Sequence, residues 1–389
     1  MTERLGVLLI GALPLWEDRG DAIHLREVAL ALRARGIDPV LLCLPGPAAP
    51  DQTLREVRVA VPRRRGLFHL AWNVLGTRAA VRAIRAEGLG VIYSRLDPGL
   101  IVGKLAARLT GRPLVVEMNG LPAEDVRLYR GYHAVLGTLT RRWEAGMYRA
   151  ARKIVAAPGY AAYAQQHYGV PAEKCVVTPL GVNTELFHPR DRGDCRRTLS
   201  LYEVPTVVWM GALAGWQGLQ TLVDAAVRIR AVVPARFLII GDGPARAACE
   251  AAVAERGLAE AFHFTGQVPY ARVAHYLGAA DVCVAMFPGN RGGKGSISAL
   301  KTVSYLACGR PVVTTEMDEL GAGITAAGAG FAVPPDDPDA LAARVTELLC
   351  ESEAARQARG MRAAALVGYD RTWDAAADRI AACLREVAQ

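Results

Sequence analysis

Only five of the 46 basic residues in this 389-residue chain are lysines: Lys104, Lys153, Lys174, Lys294 and Lys301. The others are arginines, a bias that with the abundant alanine points to a GC-rich bacterial genome. The eight cysteines form no Cys-x-x-Cys pair and no Cys/His cluster at zinc spacing. This excludes a disulfide scaffold and a zinc module, and fits the reduced thiols of a cytoplasmic protein. No apolar run approaches the roughly 20 residues that a membrane helix needs. The residues before Leu5 lack the basic stretch and cleavage site of a signal peptide. Gly-x-Gly-x-x-Gly is also missing, so the dinucleotide-binding fingerprint is excluded.

What is present is material for large cores: 52% of residues are hydrophobic and 22% charged. The length suits two or three domains of roughly 150 residues. The net charge of +8 is scattered, which favours an anionic ligand without forming a nucleic-acid groove. Three basic residues stand in a row only at Arg63-Arg64-Arg65, which reads as a solvated loop, or more sharply as a patch for an anionic acceptor or a membrane surface.

Short β-branched runs alternate with helical stretches, the rhythm of βαβ units around a parallel sheet. The first half runs through strands at Leu5–Ile10, Pro39–Leu44, Val91–Ser94, Pro113–Met118, Lys153–Ala157 and Val176–Thr178. In its first helix, Ile23–Arg35, the residues Ile23, Val28, Leu30 and Leu32 supply the apolar face, Arg26, Arg33 and Arg35 the polar one, and Gly36 the stop. The rhythm restarts at Thr206–Met210, continues through Arg236–Ile240, Phe262–Phe264 and Val282–Ala285, and Pro311–Thr314 closes the second sheet. A polar, Pro/Gly-punctuated hinge lies between the halves at 179–193. Two doubly wound α/β domains with Rossmann-like parallel sheets follow, 1–185 and 186–370, with ligands expected at the carboxyl ends of the strands in the cleft between them.

Three glycine-rich segments are candidates for anion contact. The loop Gly11–Asp21 opens a helix whose free N–H groups suit a phosphate, although taken alone it reads better as an ordinary βα connection. Gly241-Asp-Gly-Pro244 reads as a turn with proline at a helix start. The segment from Gly289 to Lys301 gathers Arg291, Lys294 and Lys301 with helix-capping Ser296 and Ser298 around one helix N-terminus, a convergence suited to a diphosphate.

The order of Pro179-Leu-Gly-Val-Asn183, Gly211-Ala-Leu213 through Gly218, Gly241-Asp-Gly-Pro244, Gly266-Gln-Val268, Ala280-Asp281, Ser298-Ala-Leu-Lys301, Tyr305–Val313 and Val333-Pro-Pro-Asp336 resembles family-four retaining glycosyltransferases of the GT-B fold. The resemblance covers essentially the whole chain. It implies a C-terminal domain holding a nucleotide-diphosphate sugar, an N-terminal domain holding the acceptor, no required metal or other cofactor, and retention at the anomeric carbon. It also implies that the last segment, 371–389, crosses back onto the N-terminal domain. On the donor side the matching positions are Gly211, Ala212, Gln217, Gln267, Val268, Tyr270, Gly295, Ser296, Ile297, Ser298 and Ser304. On the acceptor side they are Trp16, Gly20, Asp21, His24, Glu117 and Glu124. Val268 would read the nucleobase edge through its backbone, with Gln267 or Tyr270 flanking it.

The chain departs from the family pattern where charge matters. The usual Arg and Lys on the diphosphate correspond to Ala212 and Gln217, and the paired glutamates to Ser296 and Ser304. Asn119 stands where a histidine often follows the strand ending at Met118. One reading is an active enzyme in which Lys301, Arg291 and Lys294 replace the lost cations and the serines make room for an altered sugar. The other is a silent nucleotide-sugar-binding partner. The implied front-face mechanism needs no side-chain base, so His24 reads as packing or acceptor binding, His133 as helix surface and His188 as hinge. The expectation is a cytoplasmic transferase moving a sugar, plain or modified, from UDP or GDP to the oxygen or sulfur of a small molecule in specialised metabolism. A cell-envelope glycolipid transferase is the alternative if Arg63–Arg65 and the aromatic-rich stretch Leu67–Trp72 dock on a membrane.

Overall fold

The computed structural model describes residues 4–47, 53–62, 64, 67–123, 134–290, 297 and 300–389. The chain divides into two compact units, Met1–Pro179 with Trp373–Gln389, and Leu180–Thr372. The first break precedes the expected 185 because Val182 pairs with Thr372 and its N–H bonds to Arg371 O at 2.9 Å, which ties this stretch to the second unit.

In the first unit β1 (Leu5–Pro14), α1 (Gly20–Ala34), β2 (Ile37–Leu44) and β3 (Arg55–Arg58) lead to a long helical segment. That segment comprises α2 (Leu67–Ala71), a π-helical turn Trp72–Gly76 and α3 (Thr77–Glu87). Then come β4 (Val91–Arg95), α4 (Val102–Thr110), β5 (Leu114–Met118), α5 (Ala134–Ala150), β6 (Lys153–Ala156), α6 (Pro158–Tyr168) and β7 (Cys175–Val177). The described strands form one parallel sheet in the order β3-β2-β1-β4-β5-β6-β7. Val7, Leu8, Leu9, Ile92 and Val115 are fully buried, as central strands covered on both faces must be.

The second unit repeats the plan with α7 (Arg192–Thr198), β8 (Thr206–Met210), α8 (Leu219–Val232), β9 (Arg236–Ile240), α9 (Arg246–Glu255), β10 (Phe262–Gly266) and α10 (Tyr270–Gly278). It continues through β11 (Val282–Ala285), α11 (Leu300–Ala307), β12 (Val312–Thr315), α12 (Gly321–Ala326), β13 (Gly330–Val333), α13 (Pro338–Cys350) and α14 (Glu353–Ala365). Its parallel sheet runs β10-β9-β8-β11-β12-β13. The last helix, α15 (Trp373–Ala388), lies in the first unit, where Asp374 and Asp378 pair with Arg35 at 2.8 and 2.5 Å.

Four local expectations are corrected. The second sheet does not close at Thr314, because β13 pairs with β12 beyond it. The polar strand β3 adds an unforeseen edge to the first sheet. The loop after the first strand is shorter than 11–21, since β1 continues to Pro14. Arg26 is not on an exposed helix face: only 8% accessible, it lies over the Trp16 ring at 5.4 Å and 3.8 Å from Asp18. An arginine stem packs like a hydrocarbon when an aromatic face and a carboxylate receive its head.

Candidate active site

In each sheet the strand order reverses between the first strand and its crossover neighbour, at β1/β4 and at β8/β11. The carboxyl ends of these strands are where open α/β sheets bind ligands.

In the second unit the apolar run of β8 ends at Met210, whose N–H donates to the buried Tyr305 hydroxyl at 2.7 Å. This bond pins α11 against the end of β8, and one turn earlier on the helix stands Lys301. Its ammonium lies 4.8 Å from the Trp209 ring centroid and 4.7 Å from that of Phe287, and donates to Gln217 Oε1 at 2.8 Å. Lys301 is therefore buried at the switch point, with aromatic faces on its charge, rather than pointing into solvent. Beneath it, Asp318 accepts from Thr302 at 2.6 Å, from Thr314 at 3.0 Å and from the Leu320 N–H at 3.0 Å. Burial raises the Asp318 carboxyl above its ordinary range, against the pull of these bonds and of the Lys301 charge.

Glycines let the neighbouring loops close on this point. Gly218 adopts φ +68°, and a Cβ there would meet Met286 O at 2.7 Å. At Gly241 a Cβ would lie 2.0 Å from Gly211 O, and at Gly243 2.5 Å from Leu213 O, so Gly241-Asp-Gly-Pro244 is a close-packing turn. Of the other donor-side positions, Ala212 and Gln267 are exposed and Val268 is buried. The Tyr270 ring sits 5.3 Å from that of Phe187. Ile297 exchanges backbone bonds with Met317 and Glu319 at 2.9 and 3.0 Å. The Ser304 hydroxyl donates to Leu300 O of its own helix at 2.9 Å. Arg291, Lys294, Gly295, Ser296 and Ser298 lie outside the described residues, as do Glu124 and His133.

In the first unit, α1 and the ends of β4 and β5 assemble a second cluster. His24 Nε2 meets Glu117 Oε1 at 2.7 Å, both side chains being buried, and the Asn119 amide donates to Glu117 Oε2 at 2.9 Å. The His24 ring stands edge-on to Trp373 at 5.0 Å. Arg95 Nη1 donates to Asp21 O at 3.1 Å, which ties β4 to the start of α1. Burial raises the Glu117 carboxyl, but His24, Arg95 and Tyr93 outweigh it and hold it at about 2. Burial raises Asp97, and the Arg95 charge opposes it. Gly20 opens α1 on the surface. Trp16 stands apart from this cluster in its bonding, its indole N–H donating to Glu56 of β3 and its ring lying under Arg26.

The structure thus brings together Asp21, His24, Glu117 and Asn119 in one unit, and Gln217 and Lys301 in the other. Sequence reasoning missed Arg95, Trp209, Phe287 and Tyr305. Arg95 had a signal, an arginine closing an apolar strand beside the switch point; the aromatic residues looked like core, which they also are. Among the described residues no group of three or more His, Cys, Asp or Glu is arranged to hold a metal, and no helix is long and apolar enough to cross a membrane.

Two family models match in succession, Glycosyltransferase Family 4 over residues 19–186 and Glycosyl transferases group 1 over 204–351. A GDP-mannose-dependent alpha-(1-6)-phosphatidylinositol dimannoside mannosyltransferase of Mycobacterium tuberculosis is 32% identical over 224 residues, 56% of this chain and 54% of that protein. The chain therefore spans about half the length of that relative. A 2-deoxystreptamine glucosyltransferase of Streptomyces kanamyceticus is 27% identical over 67% of this chain and 73% of its own. A D-inositol 3-phosphate glycosyltransferase of Acidothermus cellulolyticus is 27% identical over 94% and 86%. Among solved structures, sucrose-phosphate synthase from Thermosynechococcus elongatus superposes with a TM-score of 0.84 over 99% of both chains at 21% identity, a likeness of fold. With both domain models matched in order and both parallel sheets wound as in that structural neighbour, the chain has the GT-B fold and carries in succession the two domains that the Glycosyltransferase Family 4 and Glycosyl transferases group 1 models describe.

Proposed function

We propose that this enzyme moves a sugar, plain or modified, from a UDP- or GDP-linked donor to a hydroxyl or thiol of a small polar acceptor, with retention at the anomeric carbon. The observation that carries the reading is Lys301, a buried cation at the β8/β11 switch point held by Gln217 between two aromatic rings. A diphosphate beside it gains charge as the bond to the sugar breaks, and a preorganised cation in a water-poor site stabilises that charge. In the proposed step the anomeric carbon–phosphate oxygen bond breaks and the acceptor heteroatom bonds to the same face. The acceptor proton passes to the departing phosphate oxygen. Arg291, Lys294, Gly295, Ser296, Ile297 and Ser298 would complete the donor pocket, with Gly211, Ala212, Gln267, Val268, Tyr270 and Ser304 around the nucleoside and sugar. Asp21, His24, Glu117 and Asn119, with Trp16, Gly20 and Glu124, would hold the acceptor. No metal or other cofactor enters this scheme.

Relatives acting on 2-deoxystreptamine and on inositol phosphate support a cyclitol-like acceptor and a place in specialised metabolism. The GDP-mannose dependence of a third supports a nucleotide-sugar donor. Calorimetry with UDP, GDP and dTDP, followed by hydrolysis of the sugar donor of the tightest nucleotide, tests the reading. Micromolar binding of one nucleotide with slow release of its sugar is expected. Binding without release of sugar, in the presence of any cyclitol or aminocyclitol, would leave a silent binding protein instead.

A further inference from the structure

The helical segment from Leu67 to Glu87 turns one face to the core and leaves another bare. Trp72, Gly76, Thr77, Ala80, Ala83 and Ile84 are buried, and Asn73 clamps the segment to the loop after β4, donating to Gly99 O at 3.1 Å and accepting from the Ile101 N–H at 2.8 Å. On the opposite face Leu67, Leu70, Val74 and Leu75 remain 51, 64, 43 and 39% accessible, and no residue of α2 is buried. The same face continues at Arg78, Arg82 and Arg85, all exposed, with exposed Arg64 just ahead of α2. Steps of three or four residues keep Leu67, Leu70, Val74, Arg78, Arg82 and Arg85 on one side of the helix. The aromatic residues expected to dock lie elsewhere: Trp72 is buried and Phe68 packs on the core, so leucine and valine make the apolar half.

We infer that this stripe is a docking surface for an anionic lipid bilayer. Apolar side chains at one end of a helix face and arginines at the other suit an interface where acyl chains and acidic headgroups lie side by side. The only acidic residue in the segment, Glu87, is paired with Arg55. A second copy of the chain would instead set the arginine row against its own like charges, which disfavours self-association through this face. The stripe holds, through Asn73, the loop that follows Arg95, whose guanidinium belongs to the His24–Glu117 cluster. Docking there would hold the acceptor-side unit at the membrane surface, a placement that goes beyond the transfer reaction itself and leaves the proposed small polar acceptor unchanged.

The test is co-sedimentation of the full chain with vesicles of phosphatidylcholine alone or mixed with phosphatidylglycerol. Binding is expected to the mixed vesicles only, and to weaken with salt. Arg78→Gln/Arg82→Gln should lower partitioning roughly tenfold or more, and Leu70→Glu/Val74→Glu should abolish it. Both should leave the thermal midpoint and donor hydrolysis unchanged, so that a failure of docking is separable from a failure of the transferase reading. Equal sedimentation of wild type and both variants would overturn the inference. So would a concentration-dependent dimer, broken by Leu70→Glu/Val74→Glu, in a protein that ignores both kinds of vesicle.

Discussion

Glu117 is held ionised far below the ordinary carboxylate range although burial pushes it the other way, because the His24 ring bonded to it, helped by the Arg95 charge and Tyr93, outweighs burial. A carboxyl depressed in the folded state, from an ordinary 4.5 to about 2, stabilises the fold above the ordinary value and loses that contribution as pH falls towards 2. The full effect is on the order of 3 kcal/mol. The melting temperature of the wild type should therefore drop between about pH 4.5 and 2, and Glu117→Gln should start lower but fall less across that window. Parallel acid limbs for the two proteins would show that Glu117 is not the responsible group. Ser304 makes the opposite forecast. In the proposed donor pocket it counts by its small size, since its hydroxyl is spent on Leu300 O, so Ser304→Ala should leave turnover nearly unchanged, and a large loss would place this hydroxyl on the substrate instead. Lys301 could be picked from the sequence because it stands with other cations at a glycine-rich helix start, and His24 and Glu117 through the family resemblance. Arg95 carried an unread signal, an arginine closing an apolar strand, whereas Trp209 and Phe287 carried none because they read as core.

Among the elements, the central strands were legible because burial on both faces writes them as apolar runs. Strands β3 and β13 were not. Arg-Glu-Val-Arg reads as polar surface, and β13 begins with Gly330, a poor strand residue that is required because a Cβ there would lie 1.9 Å from Val312 O. The start of α8 depends in the same way on Gly218, which combines a left-handed backbone with close approach to Met286 O. Gly218→Ala should cost roughly 1–3 kcal/mol in urea unfolding. It should also weaken nucleotide binding, because the residue before it, Gln217, is the one that holds Lys301. Unchanged stability with normal affinity would mean that the loop has room the packing does not suggest.

At the scale of the whole molecule, the repeated βαβ rhythm was enough to give two doubly wound units, and the ordered glycine motifs gave the fold family. The chain divides at Pro179/Leu180, a few residues before the expected 185, because a hinge reads as polar chain, whereas Val182 and Phe187 are buried in the second unit's core and Val182 pairs with Thr372. The chain holds only five lysines and buries one of them, Lys301, at the β8/β11 switch point, where Gln217 accepts from it. The central claim is that this one cation carries the leaving group. Truncation to alanine would confuse charge with packing, since the lysine stem lies against Trp209 and Phe287, so the variant of choice is Lys301→Met. The decisive measurement is the rate of sugar release or transfer at saturating donor for wild type and Lys301→Met. A fall of about 10²-fold with little change in thermal midpoint is predicted; a wild-type rate in the variant would contradict the account.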